Sequence, residues 1–225
     1  MNDEQQMTGQ ESLRLITDMI QKAKASTFLE SGSGAIMWGS VVGFCGLFSF
    51  AQNYWHFSTK IDVWDLTLLA LLPQIFISIK EKKNRVVKTD KQMAINAVWI
   101  VYGISIFAVI AYINIVPITS VKLLANDGIQ LLQKDAAGNI KPFIPFILSY
   151  SSIFIIIYAF PTLVTGIANG FKPMIYGAFA CYIFFFISLY TSSVYDQLLC
   201  GLAGIGNWLI PGLILRNRFI KGKTC

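Results

Sequence analysis

Acidic side chains next to apolar segments are the first candidates for chemistry in this sequence. Asp65 and Asp196 each stand beside a long apolar run. A charged group within a membrane usually marks a substrate path or a proton relay, and two facing aspartates would suit an intramembrane protease. Because neither aspartate is near the middle of its run, we expect both to be solvated at the membrane interface, and the protease interpretation is weak.

Nucleophiles and metal ligands give no stronger signal. The single histidine, His56, has no acidic or cysteine cluster beside it in the sequence, and a metal site needs several ligands. The four cysteines are widely spaced, and a buried cysteine normally behaves as a small apolar residue. The sequence has no HExxH, GxSxG or phosphate-binding glycine loop. We therefore expect a protein that is not an enzyme, with no catalytic residue, no cofactor and no metal.

Three side-chain amides inside apolar runs could serve binding. Gln74, Asn96 and Asn207 are candidates for lining a narrow polar cavity. The alternative is that each amide hydrogen-bonds to a neighbouring helix, as polar groups in membranes commonly do. The sequence favours this second interpretation.

Small residues and prolines in the same runs are candidates for helix packing or gating. Glycines let helix backbones approach closely in a membrane, and a proline inside a helix usually bends it. The candidates are Gly39, Gly43, Gly166, Gly170, Gly201, Gly204, Pro73, Pro161 and Pro211.

These residues must be positioned by membrane-spanning helices. The chain is 55% hydrophobic and 13% charged, with a mean hydropathy of +0.58. A hydrocarbon core needs about 20 apolar residues per helical span. The apolar runs predict an all-α membrane protein with six spans, at about 34–53, 64–79, 93–116, 142–168, 173–191 and 197–215.

The segments outside the transmembrane domain (31–215) are polar. Residues 1–30 form a cytoplasmic segment in which Glu11 to Leu29 predict an amphipathic helix, with Leu13 and Ile16 on its apolar face. The helix either packs on the protein's own spans or binds a protein partner. Residues 216–225 form a basic cytoplasmic tail.

The basic residues set the orientation. With both termini in the cytoplasm, 14 of the 18 Lys and Arg residues fall on the inner side, as the positive-inside rule requires. The net charge of +6 is thereby explained without nucleic acid. The loop from Lys80 to Lys91 either fixes this orientation or also attracts anionic lipids.

A weak internal repeat relates the first and last pairs of spans. Gly39 precedes Pro73 by 34 positions, and Gly177 precedes Pro211 by 34 positions. The pattern suggests repeated helical hairpins, such as those of some transporters. Chance similarity between apolar segments is the alternative, and a homo-oligomer is compatible with either.

Three short segments resemble a group of small uncharacterised bacterial membrane proteins. They are 11–16 with Ala23 and Lys24, then Met37-Trp38-Gly39, and finally 208–212. The resemblance implies six helices in the bacterial inner membrane and no assigned activity. We expect a non-enzymatic membrane component that interacts with other proteins. The alternative is a transporter of a small neutral or lipid-like solute, which a polar cavity at the bundle centre would favour.

Overall fold

The computed structural model describes residues 9–14, 17, 32–84, 90–145 and 150–223. Within these ranges the chain is helical apart from one small β-hairpin, which confirms the all-helical prediction. The helices are α1 (Ser33–Tyr54), α2 (Asp65–Leu69), α3 (Leu71–Asn84), α4 (Asp90–Asn126), α5 (Tyr150–Asn169), α6 (Lys172–Ser188), α7 (Ser193–Gly204), a π-turn (Ile205–Leu209) and α8 (Ile210–Lys223). The hairpin consists of β1 (Leu132–Lys134) and β2 (Ile140–Pro142).

In the part of the chain that the structure describes, four helical segments are long and apolar enough to cross a membrane. They are α1, α4, α5 and the continuous segment Ser193–Lys221, which comprises α7, the π-turn and most of α8. The other two predicted spans are shorter helices. The segment predicted at 64–79 is divided at Ala70 into α2 and α3, and α6 has 17 residues.

The predicted N-terminal amphipathic helix falls largely outside the described residues. Residues 9–14 and 17 are helical, and the Thr17 hydroxyl donates to the carbonyl oxygen of Leu13 at 2.8 Å. Leu13 is 66% exposed.

The core lies between α1, α5, α6 and the α7–π–α8 segment. Its centre comprises Val42, Cys45, Ile155, Tyr158, Ala159, Ala178, Cys181, Cys200, Ala203 and Trp208. Glycines bring the helices together, because a Cβ on Gly46 would collide with the backbone of Gly201, and a Cβ on Gly177 would lie 2.6 Å from the carbonyl oxygen of Gly206. This close packing supplies the van der Waals contact that holds helices together in lipid.

Two elements lie at the edge of the core. Helix α4 has 37 residues, about 55 Å at 1.5 Å per residue, and packs through Trp99, Tyr102 and Ile106. Helix α3 contacts α1 where the Trp38 indole N–H donates to Gln74 Oε1 at 3.0 Å. Both helices expose most of their apolar side chains.

Candidate functional site

The site begins with the π-turn at Ile205–Leu209. Pro211 follows the turn and has no N–H to donate to the carbonyl of Asn207, four residues earlier, and its ring crowds that carbonyl. A single π-turn accommodates this disruption while the helix continues, and such turns are frequent at functional sites. The turn buries Asn207 and Trp208 in the bundle.

A first group of polar contacts, the Asn207 cluster, joins this turn to α5. Asn207 is fully buried, and its Nδ2 donates to the Tyr158 carbonyl at 2.8 Å and to Thr162 Oγ1 at 3.1 Å. Trp208 Nε1 also donates to Thr162 Oγ1, at 2.9 Å. Among the described residues, no donor reaches Asn207 Oδ1. One buried acceptor therefore lacks the hydrogen bond that such groups almost always make.

Aromatic side chains surround the Asn207 cluster and connect it to α4. The rings of Tyr158 and Trp208 are 4.8 Å apart, and Tyr102 lies edge-on to Trp208 at 6.1 Å. One helical turn before Tyr102, the Trp99 indole N–H donates to Thr165 Oγ1 at 3.1 Å. Three indole or amide donors thus converge on hydroxyls of one α5 face.

A second group, the Asp196 cluster, joins the ends of α5, α6 and α7. Two hydrogen bonds link helices, Gln197 Nε2 to Ser151 Oγ at 3.0 Å and Ser188 Oγ to Ser152 Oγ at 2.7 Å. A third joins Thr191 Oγ1, in the turn between α6 and α7, to Asp196 Oδ1 at 2.8 Å. Gln197 Nε2 also lies 3.3 Å from the Tyr150 hydroxyl. Helix α5 is therefore connected to both α6 and α7 by side-chain hydrogen bonds at this end.

Asp196 corrects one expectation from the sequence. Its side chain is 1% exposed and is not solvated at an interface, because the first turn of α7 faces α5 and α6. A carboxylate in the first turn of a helix is stabilised by the positive end of the helix dipole. Asp65, by contrast, is exposed on α2, so the two aspartates do not share one buried site.

The three polar-cavity candidates lie in separate surroundings. Gln74 accepts from Trp38 and donates to Ser78 at 3.1 Å. Asn96 accepts from Gln92 on its own helix at 3.2 Å, and Asn207 binds α5. The structure does not bring these amides together.

The glycine and proline candidates divide by position. Gly39, Gly43, Gly201 and Gly204 lie where α1 contacts the α7–π–α8 segment, and Gly166 contacts Met174 and Ile175 of α6. Gly170 occupies the turn between α5 and α6 with φ +63°, a left-handed conformation that suits glycine. Pro161 lies within α5, Pro73 is the third residue of α3, and Pro211 is the second residue of α8.

Potential nucleophiles are buried among apolar groups. Cys45, Cys181 and Cys200 are free thiols with at most 1% exposure. Within the described ranges no group of three or more His, Cys, Asp or Glu side chains is arranged to hold a metal ion. The arrangement connects helices through polar groups, and the hydroxyl of Thr191 donates to the Asp196 carboxylate.

Sequence reasoning selected Asn207 but missed its partners. Ser151, Ser152, Tyr158, Thr162 and Thr165 recur at helical spacing on one buried face of α5. That spacing of hydroxyl groups was a usable signal. The pairing across helices could not be read from it, because it depends on the register between α5 and the π-turn.

No protein-family model, curated protein or solved structure matches the chain in the comparisons made with each.

Proposed function

We propose that the chain is a non-enzymatic, multi-pass component of the bacterial inner membrane that interacts with other proteins. One observation carries this proposal: the polar groups of the bundle are used between helices and are shielded from solvent. Asn207 and Thr162 are fully buried and Asp196 is 1% exposed. These residues offer a solute no exposed polar surface to bind. Hydrogen bonds that hold helices together do not require such a surface.

The proposal includes six spans with both termini in the cytoplasm. Helices α2 and α3 together cover residues 65–84, of which the apolar part, 66–79, gives about 21 Å of helix. A span this short crosses where the bilayer thins locally and flanking charged side chains such as Lys80 extend to the headgroups. Helix α6 has 17 residues, so it is slightly shorter than the hydrocarbon core is thick. The two residues after it continue as a turn. The distribution of basic residues supports this topology, because six spans with a cytoplasmic N-terminus place 14 of the 18 Lys and Arg residues on the inner side.

The proposed contacts lie on the cytoplasmic side. Leu13 is an apolar side chain left 66% exposed on the helical part of the N-terminal segment, so this segment is our candidate site for a protein partner. The basic loop from Lys80 to Lys91 is the candidate contact with anionic lipid headgroups, each nearby basic residue contributing about 1 kcal/mol.

Crosslinking in membranes tests the partner site. Removing residues 1–30 should abolish a crosslinked product that the full chain gives, and Leu13→Asp should weaken it. Arg14→Gln, a change at the next and also exposed position, is the matched control and should leave the product intact. Unchanged recovery after the deletion, with normal membrane insertion, would refute the partner proposal.

A second candidate function is transport of a small neutral or lipid-like solute. It is favoured by Asn207 in the π-turn. Its Oδ1 is a fully buried acceptor that no described donor reaches, so it is free to accept a hydrogen bond from a solute. Purified protein in liposomes would then move a solute, and Asn207→Leu would stop the movement. Asn114→Leu is the control, because Asn114 lies exposed on α4 and its side-chain amide donates to the Ile110 carbonyl of the same helix at 2.8 Å. Equal transport by both variants would reject this candidate.

A further inference from the structure

The hairpin between α4 and α5 has two chemically different faces. Its strands pair with Leu132 opposite Pro142, Gln133 opposite Lys141 and Lys134 opposite Ile140. Residues that face each other across a ladder share a side, and alternate residues along a strand do so as well. Leu132, Ile140 and Pro142 therefore lie on one face with Lys134, while Gln133 and Lys141 lie on the other.

The apolar face is not covered by the rest of the described chain. Leu132 is 56% exposed and Ile140 is 64% exposed. Ile144, two residues beyond β2, is 60% exposed. Leu131 and Phe143, which extend the ladder through a 2.9 Å backbone hydrogen bond, lie by the same alternation on the face of Gln133 and Lys141 and are only partly exposed.

Exposed apolar side chains are also present on α4 and in the connection to this face. Ile118 and Leu123 on α4 are 53% and 59% exposed, and Ile129 in the connection is 49% exposed. Exposed Lys122 and Asn126 lie between these positions on α4, so the apolar side chains do not form an unbroken surface. The chain keeps the hairpin within reach of the bilayer, since α4 ends ten residues beyond the predicted span 93–116, about 15 Å of helix, and β1 begins six residues later, a reach of at most about 20 Å.

From this exposed apolar face and its short connection to the α4 span we infer that the hairpin lies on the membrane surface, with Leu132, Ile140 and Pro142 at the boundary between headgroups and acyl chains. Lys134 stands on the same face and extends its methylene stem along the apolar surface with its ammonium among the lipid phosphates, as interfacial lysines do. Gln133 and Lys141 face water. The occupant of the apolar face is the lipid interface, in the manner of other interfacial amphipathic elements.

Site-specific fluorescence in lipid tests this inference. The full chain with Cys225→Ser carries a single environment-sensitive label at Leu132→Cys, Ile140→Cys or Gln133→Cys, because the three remaining cysteines are buried. The protein is reconstituted in phosphatidylcholine vesicles with acyl chains brominated near the headgroup. Labels at positions 132 and 140 should lose most of their emission to bromine, while the label at 133 should keep it and be quenched by aqueous iodide.

Several outcomes would overturn the inference. Equal bromine quenching at 132 and 133 would mean that the two faces do not differ in lipid contact. Iodide quenching at all three positions would place the hairpin in water. Disulfide-linked dimers through Leu132→Cys, with loss of bromine quenching, would assign the apolar face to a second copy of the chain.

Discussion

Thr162 Oγ1 accepts hydrogen bonds from two side chains of the π-turn, Asn207 and Trp208, and also lies 3.3 Å from the Tyr158 carbonyl as a donor. A hydroxyl with three polar neighbours and no solvent exposure fixes the rotation of α5 against the π-turn. The residue therefore contributes to stability through the groups that it keeps paired, more than through its own packing.

Replacing Thr162 by valine should destabilise the bundle. Valine keeps the shape but leaves the donors on Asn207 and Trp208 without their shared acceptor, a loss of about 1–2 kcal/mol. Thr162→Ser retains the hydroxyl and should cost less. The measurement is the free energy of unfolding in detergent micelles, and a valine variant as stable as the parent protein would contradict the role given to the hydroxyl.

Asp135 in the hairpin turn is a residue with a pH-dependent role. Its carboxylate accepts from the Asn139 side chain at 3.0 Å and from the Asn139 backbone at 2.8 Å. These bonds favour the charged form and lower its pKa below the usual 3.8, the Asn139 side chain being the largest cause. Because the folded pKa is lowered, the stabilisation is present above the ordinary pKa and disappears as the pH falls through the lowered one.

Carbon NMR of aspartate carboxyl groups in the full chain measures this shift. The Asp135 signal should titrate below 3.8, and Asn139→Ala should move its midpoint up toward that ordinary value. If the Asp135 midpoint did not change in Asn139→Ala, the cause assigned to the lowered pKa would be contradicted.

Among the elements, α1 and α7 show how much spacing alone reveals. The sequence singles out Gly39, Gly43, Gly201 and Gly204 as close-approach candidates, and helical periodicity suffices for that. It does not supply Gly46, because recognising that Gly46 faces Gly201 requires the relative register of two helices. The π-turn is likewise outside sequence reasoning, since Pro211 predicts a distortion but not its form.

Enlarging Gly201 should separate α1 from α7. A Cβ at Gly201 would lie 2.9 Å from the Leu47 backbone nitrogen and 3.1 Å from backbone atoms of Gly43 and Gly46, and overpacking of this kind costs about 1–3 kcal/mol or more. Gly103→Leu is the control, because nothing lies within 4 Å of its Cβ position on α4. Thermal aggregation of purified protein should begin at a lower temperature for Gly201→Leu than for Gly103→Leu, and identical onset temperatures would contradict the packing.

The predicted repeat of helical hairpins equates Gly39 with Gly177. Gly39 approaches Leu209, and Gly177 approaches Gly206 and Asn207. The two glycines equated by the 34-residue spacing therefore pack on the same π-turn. In each pair the second helix is also interrupted shortly before its proline, at Ala70 and at Ile205–Leu209. In a repeat each glycine would pack on the second helix of its own pair, which Gly177 does, whereas the nearest contacts of Gly39 are on Leu209 of the other pair. The repeat therefore stays a prediction.

For the whole molecule, composition was sufficient to predict the class and insufficient to predict the number of crossings. Hydropathy identifies every apolar run, and α1, α4, α5 and Ser193–Lys221 meet the requirements of a span. Whether a 17-residue helix and a helix divided at Ala70 also cross depends on tilt and on neighbouring helices. The local sequence does not contain that information. The side of the membrane on which each loop lies distinguishes the two counts.

Cysteine labelling in intact cells distinguishes six crossings from four. With six crossings and a cytoplasmic N-terminus, the loop at Lys80 is inside and the hairpin at Lys134 is outside. If only α1, α4, α5 and Ser193–Lys221 cross, these two positions exchange sides. In a Cys225→Ser background, a membrane-impermeant maleimide should therefore label Lys134→Cys in intact cells and Lys80→Cys only after permeabilisation.

His56→Cys lies outside and Lys221→Cys inside under both arrangements, so these variants control for access and for leakage. Labelling of Lys80→Cys but not Lys134→Cys in intact cells would establish four crossings and reverse the proposed side of both loops.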